Sequence, residues 1–169
     1  MRRERPAQAR FLTFSCKDRS QLLAEGARRD IVADQIAASR LHLAFALHAW
    51  VVMPEHVHLL VTPRPPEVGV PRILSAIKRR SATRILAQIR EHHTTPVRHL
   101  WQPGGGYDRN ILGGPEFNEK IRYIHENPVR RGLVERPEDW AWSSASAWSG
   151  NATRWAVFDR SGLPEHPAG

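Results

Sequence analysis

The sequence predicts an α+β fold of the ferredoxin-like kind, a sandwich in which an antiparallel sheet carries helices packed on one face and leaves the other open. Its apolar patterns follow the order strand, helix, strand, strand, helix, strand, helix. Only Pro54 and Glu55 separate the second and third strands, which requires an antiparallel hairpin. With 169 residues, 41% of them hydrophobic, the chain suits one domain with its own core. We expect a single domain over 1–169, with a core of about 10–148 and a C-terminal tail of 149–169.

The first half of the chain contains three predicted strands and one helix. The first strand is ARFLTFSC, residues 9–16, in which apolar and polar residues alternate loosely. Ser20 is the predicted N-cap of a helix that runs to about Arg40. Two apolar strands follow, LHLAFALHAWVVM over residues 41–53 and HVHLLVTP over residues 56–63.

The second half contains two helices around a short strand. Residues 72–92 predict a helix with an apolar stripe and with arginines roughly opposite that stripe. Residues 104–106, all glycine, form a flexible loop before the short strand YDRNIL, residues 107–112. The third helix, which follows the fourth strand, starts at Pro115 and is expected to end at about Asn127, before a proline. The remainder is expected to wrap back over the core and contains Trp140, Trp142, Trp148 and Trp155.

Positive charge is concentrated in two segments. The 25 Lys and Arg residues outnumber the 17 Asp and Glu residues, and the formal net charge is +8. Residues 1–20 and residues 72–98 together hold a net charge of +10, so the rest of the chain is slightly acidic. Localised positive charge is typical of a surface that binds a polyanion, and nucleic acid is the first candidate. A solvated surface with a frayed N-terminus is the alternative.

The composition also excludes several classes of protein. No run of 18 apolar residues occurs, so no membrane span is predicted. The N-terminus is basic but lacks the apolar core of a secretory signal, and we expect a cytoplasmic protein. Cys16 is the single cysteine, which excludes an internal disulfide and a cysteine-based zinc finger.

Two histidines in the third predicted strand are candidate metal ligands. Side chains alternate along a strand, so His56 and His58 point to one face while Val57 points to the other. Because Leu59 and Val61 share the Val57 face, that face is expected to meet the core. Two imidazoles placed two residues apart on a strand can chelate one cation. An incidental pair of histidines is the alternative.

A tyrosine and an asparagine share one face of the third predicted helix. Tyr123 and Asn127 are spaced i,i+4, so their side chains lie about one turn apart. Asn127 offers an oxygen that can complete a metal site, and tyrosine is an accepted covalent nucleophile. Glu126 and His125 point away, at about 100° and 200° around the helix from that face. A packed tyrosine and a helix-capping asparagine are the alternative.

Three segments together carry a family resemblance. Two histidines flanking a hydrophobic residue, as in MPEHVHLLV, resemble the signature of HUH single-strand DNA endonucleases. This chain also contains YIHENPVRRGLV followed by DWAWSSA. This second segment resembles the helix that carries the tyrosine in single-tyrosine transposases and the stretch that follows that helix. The third segment, WQPGGGYDRNI, resembles one that REP-associated tyrosine transposases carry before the tyrosine helix. Over roughly residues 10–148 the chain is identified as a member of the REP-associated tyrosine transposases, encoded near repetitive extragenic palindromes.

The resemblance implies an enzyme that cleaves and joins single-stranded DNA in transposition-type recombination. Tyr123 would attack a phosphodiester, giving a 5′-phosphotyrosine link and a free 3′-hydroxyl. His56, His58 and Asn127 would hold Mg²⁺ or Mn²⁺. Glu55 precedes the histidine pair where many relatives have Asn, and it is a candidate hydrogen-bond partner of a histidine.

The resemblance also implies a palindromic, REP-like DNA hairpin with a single-stranded segment as the partner. Candidate contacts to this DNA are Lys78, Arg79, Arg80 and Arg84 on the second helix, Trp101 for base stacking, and Arg130 and Arg131 near the scissile strand. The chain is expected to act as a monomer or a homodimer. The rival hypotheses are a catalytically silent hairpin-binding protein and a basic RNA-binding domain.

Overall fold

A computed structural model describes residues 8–64, 66–92 and 95–159 of the chain. Parts of the predicted N-terminal arm and C-terminal tail, residues 1–7 and 160–169, lie outside this range. The strands are β1 (Arg10–Ser15), β2 (Ala46–Val52), β3 (His56–Thr62) and β4 (Tyr107–Asn110). The long helices are α1 (Gly26–Leu43), α2 (Val70–His92) and α3 (Gly114–Arg130). Shorter helical segments occur at Lys17–Arg19, Pro137–Asp139 and Ala145–Trp148.

The four strands form one antiparallel sheet in the order β2-β3-β1-β4. Met53 donates its backbone N–H to the carbonyl of His56, which closes the predicted β2–β3 hairpin. In the centre of the sheet, Thr13 of β1 is paired with His58 on one side and with Tyr107 on the other. The element order and the strand order confirm the predicted ferredoxin-like α+β fold.

The two faces of the sheet are covered by different helices. Helices α1 and α2 pack on the face that carries Leu12, Val57 and Leu59, as the sequence predicts. The opposite face, which carries Phe11 and Leu60, is not open, because α3 packs against it. The tyrosine-bearing helix is therefore separated from α1 and α2 by the sheet.

The first helix begins later than the sequence predicts. Ser20 is not its N-cap, and the helix starts at Gly26. The intervening segment is held by tertiary contacts, since Leu23 donates to the carbonyl of Pro54 and Arg29 donates to the carbonyls of Leu23 and Ala24. The bond to Pro54 joins distant segments and, with those of Arg29, holds residues 20–25 outside the helix. The helix then extends to Leu43, so β2 is shorter than predicted.

The third helix continues through Pro128 to Arg130, one turn beyond the predicted end. Proline removes one backbone donor from the helix, and the next turn still forms because the N–H of Arg131 reaches the carbonyl of Asn127. Asn127 therefore lies inside the helix rather than at its end. Its side chain keeps the helical spacing of one turn from Tyr123.

The C-terminal segment covers the outer edge of β2, as predicted for a segment that wraps back over the core. Val52 and Leu47 of this strand bond to Trp142 and Asp159 respectively. The indole N–H of Trp140 donates to the carbonyl of Val52. Trp155, in the predicted tail, is buried in the core cluster beneath α1 and α2. None of the helices in the described ranges is long and apolar enough to cross a membrane.

Candidate active site

His56 and His58 lie side by side on the face of the sheet that α3 covers. Both side chains are buried, and their Nε2 atoms are 3.0 Å apart. Val57 points to the opposite face and joins the core beneath α1 and α2. The alternation of side chains along β3 thus produces the arrangement predicted from the sequence. Two ring nitrogens converge on one point between the strand and the helix.

Each histidine is held through its other ring nitrogen. Nδ1 of His56 lies 2.9 Å from Oε1 of Glu55, and Nδ1 of His58 lies 2.7 Å from Oγ1 of Thr13. Partners at Nδ1 fix the orientation of both imidazoles, and the carboxylate of Glu55 favours the tautomer of His56 in which Nε2 is free to accept. The expectation that Glu55 bonds a histidine is confirmed. Thr13 was not predicted, because its position opposite His58 depends on the strand register.

Both imidazoles are neutral at physiological pH. Burial is the main cause that lowers the pKa of His56, and the hydrogen bond and charge of Glu55 oppose it in part. Burial lowers the pKa of His58 to about 3, and the charges of Arg19 and Lys120, with that of His56 whenever it is protonated, add to the effect. A neutral imidazole offers a lone pair, so the electrostatics of the site suit metal coordination.

The ring of Tyr123 stands over the histidine pair. Its centroid lies 5.4 Å from that of His58 and 5.9 Å from that of Phe11, both in edge-to-face geometry. Phe11 in turn stacks on His58 at 5.3 Å. The buried Phe11 ring therefore packs against both Tyr123 and His58 and helps to fix their positions. Neither the contact nor this supporting role of Phe11 was predicted.

Two cationic groups flank the tyrosine ring. The guanidinium of Arg130 lies 4.7 Å from the ring centroid, and Nζ of Lys120 lies 5.5 Å from it. Lys120 precedes Tyr123 by one turn of α3 and Arg130 follows it by two, so the helix itself sets their positions. Positive charge at this place attracts a phosphate.

Asn127 is buried one turn after Tyr123, and the structure gives its side-chain amide no hydrogen-bond partner within the described ranges. In those same ranges, no group of three His, Cys, Asp or Glu side chains could hold a metal ion. A metal at the histidine pair therefore needs a ligand of another type. The donor set of two imidazoles and one amide oxygen fits Mn²⁺ or Mg²⁺, with the nitrogens favouring Mn²⁺.

Comparison with known families identifies the chain. The family model described as "Transposase IS200 like" matches residues 9–127, which include the histidine pair, Tyr123 and Asn127. The chain belongs to the IS200-like transposase family.

Individual relatives agree with this assignment. The chain is 24% identical over 161 residues to the "REP-associated tyrosine transposase" of Escherichia coli strain K12, covering 89% of this chain and 90% of that protein. It matches a solved structure of a REP-associated tyrosine transposase bound to a REP hairpin, with a TM-score of 0.69, 23% identity and coverage of 100% and 94%. A transposase structure from Deinococcus radiodurans matches with a TM-score of 0.51, 23% identity and coverage of 75% and 95%. The resemblance drawn from the motifs is confirmed.

Trp101 and Arg131, both predicted to contact DNA, contact other segments of the protein. Trp101 is buried, and its indole N–H donates to the carbonyl of Lys78 and to Oγ of Ser81. Its ring is therefore unavailable for base stacking, which corrects that prediction. Arg131 donates to Oε1 of Glu55, the same oxygen that bonds His56, but its side chain is still 41% exposed, and its contact with DNA stays a prediction.

The predicted basic residues of α2 lie on the other side of the sheet from Tyr123. Arg79, Arg80 and Arg84 are exposed and line a groove of about 840 Å³ between α1 and α2. Lys78 is half-buried and donates to the carbonyls of Gln102 and Gly104. The transposase thus presents two separate basic regions, one beside the tyrosine and one on α2.

Proposed function

We propose that the chain cleaves and rejoins single-stranded DNA with Tyr123 as the nucleophile and with Mg²⁺ or Mn²⁺ held by His56, His58 and Asn127. The observation that carries the proposal is the position of the Tyr123 ring, whose centroid lies 5.4 Å from that of His58, one of two neutral, oriented imidazoles. A core tyrosine needs neither two converging ring nitrogens nor flanking cations. Membership of a transposase family supports the same chemistry.

The reaction needs one nucleophile and one leaving group. The phenolic oxygen of Tyr123 forms a bond to phosphorus, the bond from phosphorus to the 3′ oxygen breaks, and the phenolic proton passes to solvent. The 3′ oxygen takes up a proton from solvent and leaves as a hydroxyl. The product is a 5′-phosphotyrosine, whose ester bond preserves the energy of the original linkage. Attack by a 3′-hydroxyl on the phosphotyrosine reverses these steps and rejoins the strand.

The chain's own residues position and neutralise the reacting groups. Lys120 and Arg130 place positive charge next to the Tyr123 ring, where it would attract the incoming phosphate. Phe11 holds the rings of Tyr123 and His58 in fixed relation. A bound metal would polarise the scissile phosphate as a Lewis acid.

The substrate proposed for this site is a palindromic DNA hairpin that carries a single-stranded segment. One matched structure is described as a REP-associated tyrosine transposase bound to a REP hairpin, and the net charge of +8 suits such a polyanion. The flexible segment can bring a phosphate to Tyr123, which a stacked duplex cannot do as readily. The exposed Arg79, Arg80 and Arg84 are proposed to contact DNA phosphates on the other side of the sheet.

A covalent-adduct assay tests the nucleophile. The protein is incubated with Mn²⁺ and a labelled hairpin oligonucleotide, and products are separated under denaturing conditions. We expect a protein–DNA adduct with wild type and none with Tyr123→Phe, while both bind the oligonucleotide. Because Tyr107 is the one other tyrosine in the chain, peptide mapping identifies the attached residue. Equal adduct from the two proteins, or attachment elsewhere, would exclude Tyr123.

A calorimetric titration with Mn²⁺ tests the metal ligands in the absence of DNA. His56→Ala and Asn127→Ala are expected to weaken Mn²⁺ binding at least about 10-fold, since each removes a ligand. His42→Ala is the matched control, because His42 is exposed on α1 and lies on the other side of the sheet. Unchanged affinity in His56→Ala would refute the metal role. DNA binding by wild type without cleavage in Mn²⁺ or Mg²⁺ would instead favour the silent hairpin-binding protein.

A further inference from the structure

Tyr107 presents an exposed aromatic ring next to the proposed active site. It lies on β4 opposite Thr13, so its side chain is on the same face of the sheet as His58 and Tyr123. Its exposed fraction is 54%, and it is the one aromatic residue among the exposed large hydrophobic residues of the described ranges. Its ring meets Phe11 edge to face, with the centroids 6.2 Å apart.

Phe11 links this exposed ring to the reacting groups. The Phe11 ring contacts Tyr107 on one side, and it contacts Tyr123 and stacks on His58 on the other. Successive ring contacts, through the buried Phe11, therefore connect Tyr107 at the edge of the sheet with Tyr123, the proposed nucleophile. A group stacked on Tyr107 would be a neighbour of a phosphate held at Tyr123.

The glycine loop before β4 fixes the position of this ring. Gly106 has a φ of +71°, and a Cβ added there would come within 2.1 Å of the carbonyl oxygen of Thr13. Only glycine allows the chain to approach β1 so closely at this point. Lys78 holds the other end of the loop by donating to the carbonyl of Gly104. Tyr107 is therefore exposed on a fixed part of the backbone.

The surroundings of Tyr107 are charged rather than apolar. Arg109 lies two residues further along β4 on the same face, half exposed and paired with Glu116. Lys120 lies 5.4 Å from the Phe11 ring that supports Tyr107. A single exposed aromatic ring near cations suits a nucleobase with its phosphate, whereas a protein interface requires a larger apolar patch.

We propose that Tyr107 is a stacking platform for one unpaired nucleobase of the strand whose phosphate reaches Tyr123. This proposal rests on the proposed function, and it specifies how the single-stranded segment is held. Exposed tyrosines on a sheet face bind single-stranded nucleic acids by stacking, which tolerates any base because every base has a π face. The contact would set which phosphate is presented for cleavage.

Fluorescence anisotropy tests the contact with Tyr123→Phe as the parent protein, so that no covalent adduct forms. The probes are a labelled hairpin oligonucleotide with single-stranded arms and the same hairpin without arms. Adding Tyr107→Ala or Tyr107→Leu is expected to weaken binding of the armed hairpin by about 5- to 100-fold, and adding Tyr107→Phe by less than about 2-fold. Binding of the armless hairpin should stay the same for all variants.

An abasic scan locates the stacked base. Replacing each arm nucleotide in turn with an abasic site should weaken binding to the parent protein at one position. At that position the loss should disappear in the Tyr107→Ala variant, because the two changes remove the same contact. Equal losses in both proteins at every position would overturn the proposal.

Controls separate this proposal from its alternatives. Wild-type affinity of Tyr107→Ala for the armed hairpin, with a native circular dichroism spectrum, would overturn it. So would conversion of a dimer to a monomer by Tyr107→Ala in sedimentation, since Tyr107 would then serve a second copy of the chain. The adduct assay for Tyr123 is a separate experiment on the wild-type protein, and it uses saturating DNA so that its result does not depend on DNA affinity. If the adduct forms normally but the Tyr107 substitutions leave the affinity for the armed hairpin unchanged, the proposed function stands and only the stacking proposal is refuted.

Discussion

Arg131, at the end of the tyrosine helix, forms an ion pair with Glu55 in the turn before the histidine strand. The same carboxylate oxygen bonds Nδ1 of His56. Burial alone would raise the pKa of Glu55, but the hydrogen bonds from Arg131 and His56 hold that pKa below its ordinary value. The ionised Glu55 therefore ties the helix that carries Tyr123 to the strand that carries the histidines.

Replacing Glu55 should weaken metal binding although Glu55 is not a proposed ligand. Glu55→Ala leaves Nδ1 of His56 without its partner, and we expect Mn²⁺ affinity to fall about 10- to 100-fold by calorimetry. Glu55→Gln keeps an oxygen acceptor and should lose less. Glu119→Gln, an exposed carboxylate on α3, is the control and should bind Mn²⁺ like wild type. Wild-type affinity in Glu55→Ala would show that Thr13 and packing suffice to orient the pair.

Gly106→Ala should destabilise the protein strongly. The added Cβ meets the Thr13 carbonyl at 2.1 Å, and the positive φ is unfavourable for alanine. We expect a loss of about 2 kcal/mol or more in the free energy of unfolding, measured by urea denaturation. Gly105→Ala is the matched control, because a Cβ at Gly105 has no atom within 4 Å. Equal stability of the two variants would contradict the close approach of this loop to β1.

Cys16 should be unreactive in the folded protein. It is fully buried, and burial is the main cause that raises the pKa of its thiol to about 12. Thiolate is the reactive form, so modification by a disulfide reagent at neutral pH should be very slow. Addition of denaturant should expose the thiol and release one equivalent of chromophore at once. Rapid modification of the native protein would show that β1 opens locally.

Protonation of His48 in the unfolded chain should lower stability in mild acid. Burial is the main cause that lowers the pKa of His48, against the hydrogen bond and charge of Asp159. Above the unfolded pKa of about 6.5 both states are neutral. As the pH falls below that value, the unfolded chain gains a proton that folded His48 does not, and the free energy of unfolding decreases.

The contribution of His48 can be isolated by substitution. Urea unfolding at about pH 7.5 and about pH 5.5 should show a smaller loss of stability for His48→Gln than for wild type. Some loss should remain, because other buried histidines also have lowered pKa values. The exposed His42 serves as the control, and His42→Gln should behave like wild type. Identical pH dependence in all three proteins would refute the role of His48.

The positions within the site that were predicted correctly from the sequence are those that depend on local periodicity. Alternation along a strand determines that His56 and His58 share a face, and helical spacing determines that Tyr123 and Asn127 do. Both rules hold whatever the rest of the chain does. The motifs then identified the family, and the family assignment is confirmed.

The parts that sequence missed depend on contacts between distant segments. The sequence does not show that Trp101 is buried against α2, nor that Arg131 pairs with Glu55. Thr13 and Phe11 join the site only through the register of β1 against β3. No local pattern in the sequence encodes that register.

The C-terminal segment that covers the outer edge of β2 has a consequence for the path of the DNA. The groove arginines of α2 and the ring of Tyr123 lie on opposite faces of the sheet. No described segment pairs with the outer edge of β4, whereas Trp142 and Asp159 occupy that of β2. A nucleic acid that contacts both surfaces, as proposed, can pass from one face of the sheet to the other along this unpaired edge of β4. On that path the width of the sheet would set the number of nucleotides between the phosphates proposed to contact α2 and the phosphate proposed to reach Tyr123.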